Sequence, residues 1–216
     1  MNPFKVVEMF EEAIAEYCGS KYAVAVDSCT NALTLCLRYY NEEKFGDEWG
    51  ITESITIPRK TYVSVPQSIL NAQLFATPNI TFEDSDEWQK IGYYQLKPYP
   101  IYDSARLCTS DMYIPNSYMC LSLHWGKTLN LGQGGVILTD DDKAVEWLKK
   151  ARWDGRTAGL APVDDEIKII GMHCPMSPRD AADALTRLHF LPKHNKPLPV
   201  EKGYADLSKF KVFNEL

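Results

Sequence analysis

The chain is most readily bounded by what it lacks. It has no excess of positive charge: 23 Lys and Arg stand against 29 Asp and Glu, a formal net charge of −6. That leaves no basic footprint for a nucleic-acid partner. No apolar run approaches the length of a membrane span, and the N-terminus lacks a signal peptide's apolar core, so neither a membrane nor a secretory route is expected. The six cysteines (Cys18, Cys29, Cys36, Cys108, Cys120, Cys174) contain no C-x-x-C pair and no metal-ligand spacing. Cys18, Cys36 and Cys120 fall within apolar patterns and read as buried thiols, which suits a reducing cytoplasm. Internal repeats and low-complexity stretches are missing. The glycine run Gly132-Gln-Gly-Gly135 is no P-loop, because no Gly-Lys-Ser/Thr follows. Ser122 and His124 lack an acid partner and the separation a hydrolase needs.

What is present is a chain of 216 residues that is 45% hydrophobic, enough for one domain with a real core. Phe4, Val7, Phe10, Ile14 and Tyr17 recur at helical spacing, and Gly19 stops that helix. A strand over 22–26 and a helix over 31–38 follow, then a polar loop from Asn41 to Gly50. Strands are expected at 54–57, 73–76 and 79–82, with a helix over 63–71 that accommodates Pro66 in its first turn. Tyr99 to Tyr102, Tyr118 to Leu123 and Val136 to Thr139 read as further strands. Asp140-Asp-Asp142 caps a helix over 143–153, and Ser177-Pro178 opens another. Alternating strands and helices predict an α/β fold with a mostly parallel mixed sheet and helices on both faces.

Three stretches carry chemistry. Lys127 lies between two strand-like runs, in Ser122-Leu-His-Trp-Gly-Lys127, with glycines that let the backbone crowd a flat ligand. Such an amine can bond a carbonyl cofactor, although a lysine near a glycine turn is more often a solvated loop residue. Ser28-Cys29-Thr30 turns a strand into a helix, presenting free N–H groups and the positive dipole end to an anion; an ordinary N-cap made by Ser28 or Thr30 is the plainer alternative. Asp103 falls at the carboxyl end of a strand, where ligands of open α/β sheets gather, or is simply a turn-initiating aspartate. Pyridoxal phosphate makes three matching demands: a lysine for its aldehyde, a carboxylate for its ring nitrogen and backbone donors for its phosphate.

With these segments in view the chain resembles the DegT/DnrJ/EryC1/StrS family of pyridoxal-phosphate aminotransferases, most of which act on nucleotide-linked keto-sugars. The resemblance is carried by Phe10 to Leu33, by Pro58-Arg-Lys-Thr-Tyr62-Val-Ser64, by Asp103-Ser-Ala105-Arg106 and by Ser122 to Gly135. Ala151 to Arg156 and Met176 to Ala182 also fit. It implies the large domain of a fold-type I aminotransferase. It implies that Lys127 is the catalytic lysine and that Cys29, Thr30, Tyr62, Asp103, Ala105, Arg106, Ser122, Lys127 and His173 bind the cofactor. Tyr62 would stack on the ring, Ser122 would contact the phosphate, and His173 would stand where the family reaches the phosphate of a neighbouring subunit. The expected partners are an amino donor (glutamate or glutamine), a nucleotide-linked keto-sugar and a second copy of the chain in a homodimer, without nucleic acid or membrane.

The departures are specific. Between Phe82 and Asp103 a strand–helix unit of the family is expected to be missing. Arg106 replaces a glutamine, and reads either as a receptor for a substrate carboxylate or as a surface salt bridge. His173-Cys-Pro175 replaces Asn-Tyr-Arg. Residues 1–195 are expected to form a trimmed cofactor domain and 196–216 a short tail in place of the family's small domain. The rival function is a catalytically reduced protein that binds the cofactor or a nucleotide sugar. Family members that dehydrate or deoxygenate sugars carry histidine in place of the lysine, and Lys127 argues against that chemistry. His124 is given no role.

Overall fold

The structure is a computed structural model that describes residues 2–45, 54–72, 79–200 and 203–213. Helix α1 (Lys5–Cys18) ends where Gly19 takes a left-handed conformation, φ 79°, and its N–H caps the carbonyls of Ala15 and Glu16. Strand β1 (Tyr22–Val26) leads into α2 (Cys29–Phe45), β2 (Ile55–Pro58), α3 (Ser64–Asn71) and β3 (Ile80–Glu83). Then come the single-turn α4 (Trp88–Ile91), β4 (Tyr94–Gln95), β5 (Ile101–Asp103), β6 (Tyr118–Ser122), β7 (Gly135–Thr139), α5 (Asp142–Ala151) and α6 (Pro178–His189).

Five strands form one sheet in the order β1-β7-β6-β5-β4, and β2 with β3 forms a separate parallel pair. The α/β class and the helices on both faces stand, but the mostly parallel sheet does not. Within the larger sheet only β5 and β6 run parallel, while β1–β7, β6–β7 and β4–β5 are antiparallel. The reason lies in the connections. β6 returns to β7 through residues 123–134, and β4 to β5 through residues 96–100, with no helix in either. Without a crossover element, strands adjacent in sequence pair antiparallel.

Alternation along the strands divides the core into two layers. Val24, Val26, Cys120 and Ile137 face α2 and α5, with Leu33, Leu37 and Leu148 packed against them. Ala23, Ala25, Met119, Leu121, Val136 and Leu138 face α1 and α6, with Phe10, Ile14, Ala181 and Ala184 opposite. A buried ion pair clamps the second layer. Arg152 Nη1 donates to Glu11 Oε1 and to the Ala25 carbonyl, while Ala25 N–H donates to the same Glu11 oxygen at 2.8 Å.

Several boundaries shift for identifiable reasons. Helix α2 runs to Phe45, through the expected loop, because tertiary partners hold its polar end: Trp147 Nε1 donates to Glu42, and Lys143 pairs with Glu43. The expected loop over 46–50 and strand over 73–76 lie outside the described residues. The shortened stretch between Phe82 and Asp103 contains only α4 and β4. Helix α5 is capped by Asp141, whose carboxylate accepts from Ala144 N–H, and α6 by Ser177, which accepts from Asp180 N–H with Pro178 in the first turn. No helix among the described residues is long and apolar enough to cross a membrane.

The tail adds a feature the sequence did not suggest. It turns back over the carboxyl ends of the strands. Leu198 N–H donates to the Arg106 carbonyl at 2.9 Å, and Leu207 N–H to the Arg59 carbonyl at 2.8 Å. Leu207 and Phe213 are buried, and Asp206 lies 3.5 Å from the Arg59 guanidinium.

Candidate active site

The turn from β1 into α2 builds one end of a cavity. Ser28 is the capping residue: its hydroxyl accepts from Asn31 N–H at 3.2 Å and donates to Asp27 at 3.0 Å. The plainer sequence alternative, an ordinary N-cap, therefore holds for Ser28. It does not use up the turn. Among the described residues, the N–H groups of Cys29 and Thr30 have no backbone acceptor. They stand at the positive end of a long helix, which favours an anion. The β7 strand presses directly on this turn. A Cβ on Gly135 would lie 2.4 Å from the Ser28 carbonyl carbon and 2.5 Å from Cys29 N, so only glycine fits there.

Asp103 ends β5 between β4 and β6, facing Tyr94 and Cys120 in register. Its carboxylate is buried, accepting Ala105 N–H at 2.9 Å on one oxygen and the Tyr94 hydroxyl at 3.0 Å on the other. Tyr94 in turn shares a 2.5 Å hydrogen bond with Thr61, the residue before Tyr62. Burial pushes the Asp103 carboxyl above its ordinary range, against the opposing pull of Ala105 N–H, Tyr94 and Lys127. This is a carboxylate with hydrogen bonds but no ion-pair partner among the described residues.

Lys127 sits in the β6–β7 connection. That loop is pinned by Leu123 N–H to the Gly134 carbonyl, Leu131 N–H to the Leu123 carbonyl, and Lys127 N–H to the His124 carbonyl, all between 2.8 and 2.9 Å. Leu129, 2% exposed, anchors its middle in the core. Burial holds the Lys127 amine below the ordinary lysine range; Arg106 adds to the effect, and Asp103 and Cys29 oppose it.

These elements meet at one cavity of about 230 Å³, near the small end of ligand-site volumes. Cys29, Thr30, Tyr62, Asp103, Ala105, Arg106, Ser122 and Lys127 all line it. Of the sequence-predicted cofactor residues only His173 does not. It stands apart and exposed, its Nδ1 2.8 Å from Asp154 and its ring edge-on to Trp153. Tyr62, 59% exposed, borders the opening. Arg106 is 4% exposed and forms no salt bridge among the described residues, against the surface salt bridge the sequence also allowed.

Sequence reasoning missed part of the wall. Thr61, His124, Gln133 and Gly134 line it, as do Trp88 of α4 and Tyr204 of the tail. Trp88 packs edge-on to Tyr94, and Tyr204 packs against Trp88 with ring centroids 5.5 Å apart. Thr61 and His124 adjoin residues already singled out. Trp88 and Tyr204 arrive through tertiary folding alone, with no local signal. A larger, open groove of about 750 Å³ between α1 and α6 shares no residue with this cavity.

The cavity thus offers a desolvated amine, a buried carboxylate short of a cation, and free N–H groups at a helix start. These fit the three reactive regions of pyridoxal phosphate. The chain is similar in sequence and in fold to known aminotransferases. Residues 2–80 match the model of the DegT/DnrJ/EryC1/StrS aminotransferase family. The chain is 29% identical over 113 residues to the dTDP-3-amino-3,6-dideoxy-alpha-D-galactopyranose transaminase of Aneurinibacillus thermoaerophilus, over 52% of this chain and 27% of that one. Among solved structures it superposes on S. venezuelae DesV with a TM-score of 0.65 at 20% identity, covering 86% of this chain and 57% of DesV. It also superposes on Helicobacter pylori PseC, an aminotransferase involved in the biosynthesis of pseudoaminic acid, with a TM-score of 0.66 at 17% identity, covering 87% and 58%. At these identities the structures show the shared fold. The chain spans about a quarter of the curated relative's length and less than two thirds of either structure's.

Proposed function

We propose that this chain is a pyridoxal-phosphate-dependent aminotransferase that moves an amino group from glutamate or glutamine to a keto-sugar linked to a nucleotide, working as a homodimer in the cytoplasm. The observation that carries the reading is the convergence of Lys127, Asp103 and the start of α2 on one cavity. The sugar class is supported by the family match over residues 2–80 and by the curated transaminase relative.

When bound, pyridoxal phosphate supplies an aldehyde that takes up amino groups and a protonated ring that accepts electrons from a substrate carbon. The residues of this chain do the rest. Lys127 Nζ, whose proton affinity burial lowers, would hold the cofactor's aldehyde and, when freed, move the proton at the substrate carbon. A positioned base of this kind contributes about 10²–10⁴-fold. Asp103, held by Ala105 N–H and Tyr94, would pair with the ring nitrogen and keep it protonated. The Cys29 and Thr30 N–H groups, with the Ser122 hydroxyl, would hold the phosphate, and Tyr62 would cover one face of the ring. His173 serves the neighbouring subunit, which fits its exposed place outside its own cavity.

The test is spectroscopic. Added pyridoxal phosphate should give a yellow protein whose colour is fixed by borohydride, with the label on Lys127 by mass spectrometry. Glutamate should bleach the unreduced form. A colourless protein, or a label on surface lysines only, overturns the reading. Colour that glutamate leaves unchanged would identify a cofactor binder without turnover.

A further inference from the structure

Arg106 is an anomaly in this cavity. It is 4% exposed, and its Nε and Nη2 are both buried without a hydrogen-bond partner. Among the described residues no carboxylate pairs with it. The other buried arginine among the described residues differs: Arg152, 7% exposed, pairs with Glu11. A buried guanidinium left unpaired costs several kcal/mol in the empty protein, on the order of the penalty for any uncompensated buried charge. Its backbone is fixed, since the carbonyl accepts Leu198 N–H at 2.9 Å and the preceding Ser104 N–H donates to the Cys120 carbonyl at 2.9 Å. The guanidinium carbon lies 5.8 Å from the centre of the Trp88 ring, which orients its plane. The planar guanidinium also carries paired N–H donors that match the two oxygens of a carboxylate.

We propose that Arg106 is the substrate-binding residue for a carboxylate, received by its guanidinium inside the cavity. The inference rests on the aminotransferase reading and adds the chemical class of the group recognised. A carboxylate there supplies the partner that the fold withholds. It also offsets the positive charge that Arg106 imposes on Lys127. The carboxylate can belong to the amino donor or to an acidic sugar acceptor. A lysine cannot replace the arginine, because its point charge lacks the two-pronged edge.

The experiment is calorimetric titration of the cofactor-treated protein with glutarate, a dicarboxylate without an amine, and separately with glucuronate, at fixed ionic strength. Wild type is compared with Arg106→Gln and Arg106→Lys. Two charge-assisted hydrogen bonds are at stake, so both variants should bind the recognised probe about ten- to a hundred-fold more weakly. Loss for glutarate alone assigns the donor, loss for glucuronate alone the acceptor, and loss for both assigns the shared carboxylate. Without probe, Arg106→Gln should melt no lower than wild type, and the recognised probe should raise only the wild-type midpoint. In wild type itself, that probe should protect Arg106 from phenylglyoxal, a readout that survives even if a variant fails to fold. Equal affinity in wild type and Arg106→Gln, no binding of either probe to wild type, or no protection overturns the proposal. A colourless protein that still loses glutarate binding on substitution would sink the cofactor reading alone; a yellow protein indifferent to Arg106 would sink only this one.

Discussion

Gly135 and Ser28 meet backbone to backbone: a Cβ on Gly135 would lie 2.4 Å from the Ser28 carbonyl carbon and 2.5 Å from its oxygen. The first residue of β7 thereby fixes the height of the turn that opens α2. Gly135→Ala must push that turn away, because backbone cannot yield as a flexible side chain can. Overpacking of this kind costs about 1–3 kcal/mol. Chemical denaturation should show that loss. Affinity for pyridoxal phosphate should fall with it, since the displaced N–H groups of Cys29 and Thr30 are the proposed phosphate donors. Unchanged cofactor affinity in a destabilised variant would remove the phosphate from this turn.

Asp103→Asn separates two effects by sign. The carboxyl of Asp103 is raised by burial in the folded state. Between its unfolded and folded values the native protein binds the extra proton, so the ionised group destabilises the empty protein as pH rises through that interval. The variant should gain stability relative to wild type as pH climbs through the carboxylate range, and the gap should level off above the folded value. At neutral pH the same variant should hold the cofactor weakly and transaminate poorly. A stability gap that is flat with pH would mean that Asp103 is not strained by burial.

The amine of Lys127 should respond to its neighbours in opposite directions. Arg106 lowers its proton affinity and Asp103 raises it. In the cofactor-free protein, reductive methylation of Lys127 followed across pH should show an apparent pKa below the ordinary lysine value. Arg106→Gln should move it up, and Asp103→Asn should move it down. No shift in either variant would show that burial alone sets the amine.

Leu207, three residues beyond Tyr204, anchors the tail at 2% exposure. Leu207→Ala should cost about 2–5 kcal/mol if its site cannot collapse. Loosening the tail should also raise the release rate of the cofactor, measured by loss of absorbance on dilution. Tyr204→Ala should raise that rate with a smaller loss of stability.

Glu11→Ala tests the core. It leaves the Arg152 guanidinium buried without its carboxylate, at a cost of about 3–5 kcal/mol. The replacement removes a clamp on α1, β1 and α5, and thermal melting would report it.

Much of this site was legible because its parts are local. The strand before Asp103, the glycine turn after Lys127 and the Ser28–Thr30 cap each declare themselves within a few residues, and each lands on the cavity wall. Sheet direction was not legible. The alternation of apolar runs is the same for parallel and antiparallel neighbours when both faces are covered, as they are here by α1 and α6 on one side and α2 and α5 on the other. The end of α2 was missed because its polar residues are held by α5 rather than by their own propensity. Trp88 and Tyr204 were missed because nothing in their neighbourhoods marks them; packing on Tyr94 brings the first to the site and the return of the tail brings the second. The surface salt bridge weighed for Arg106 failed for the same reason, since α4 and the tail bury it.

The placement of Tyr204 has a consequence for how the protein comes into being. Cys29 and Thr30 leave the ribosome early, and the last part of the cavity's wall leaves late. Contacts this distant in sequence are slow to form. A nascent chain holding everything through α6 would present a roofless pocket, and vitamin captured then would exchange freely until synthesis reached the closing aromatic.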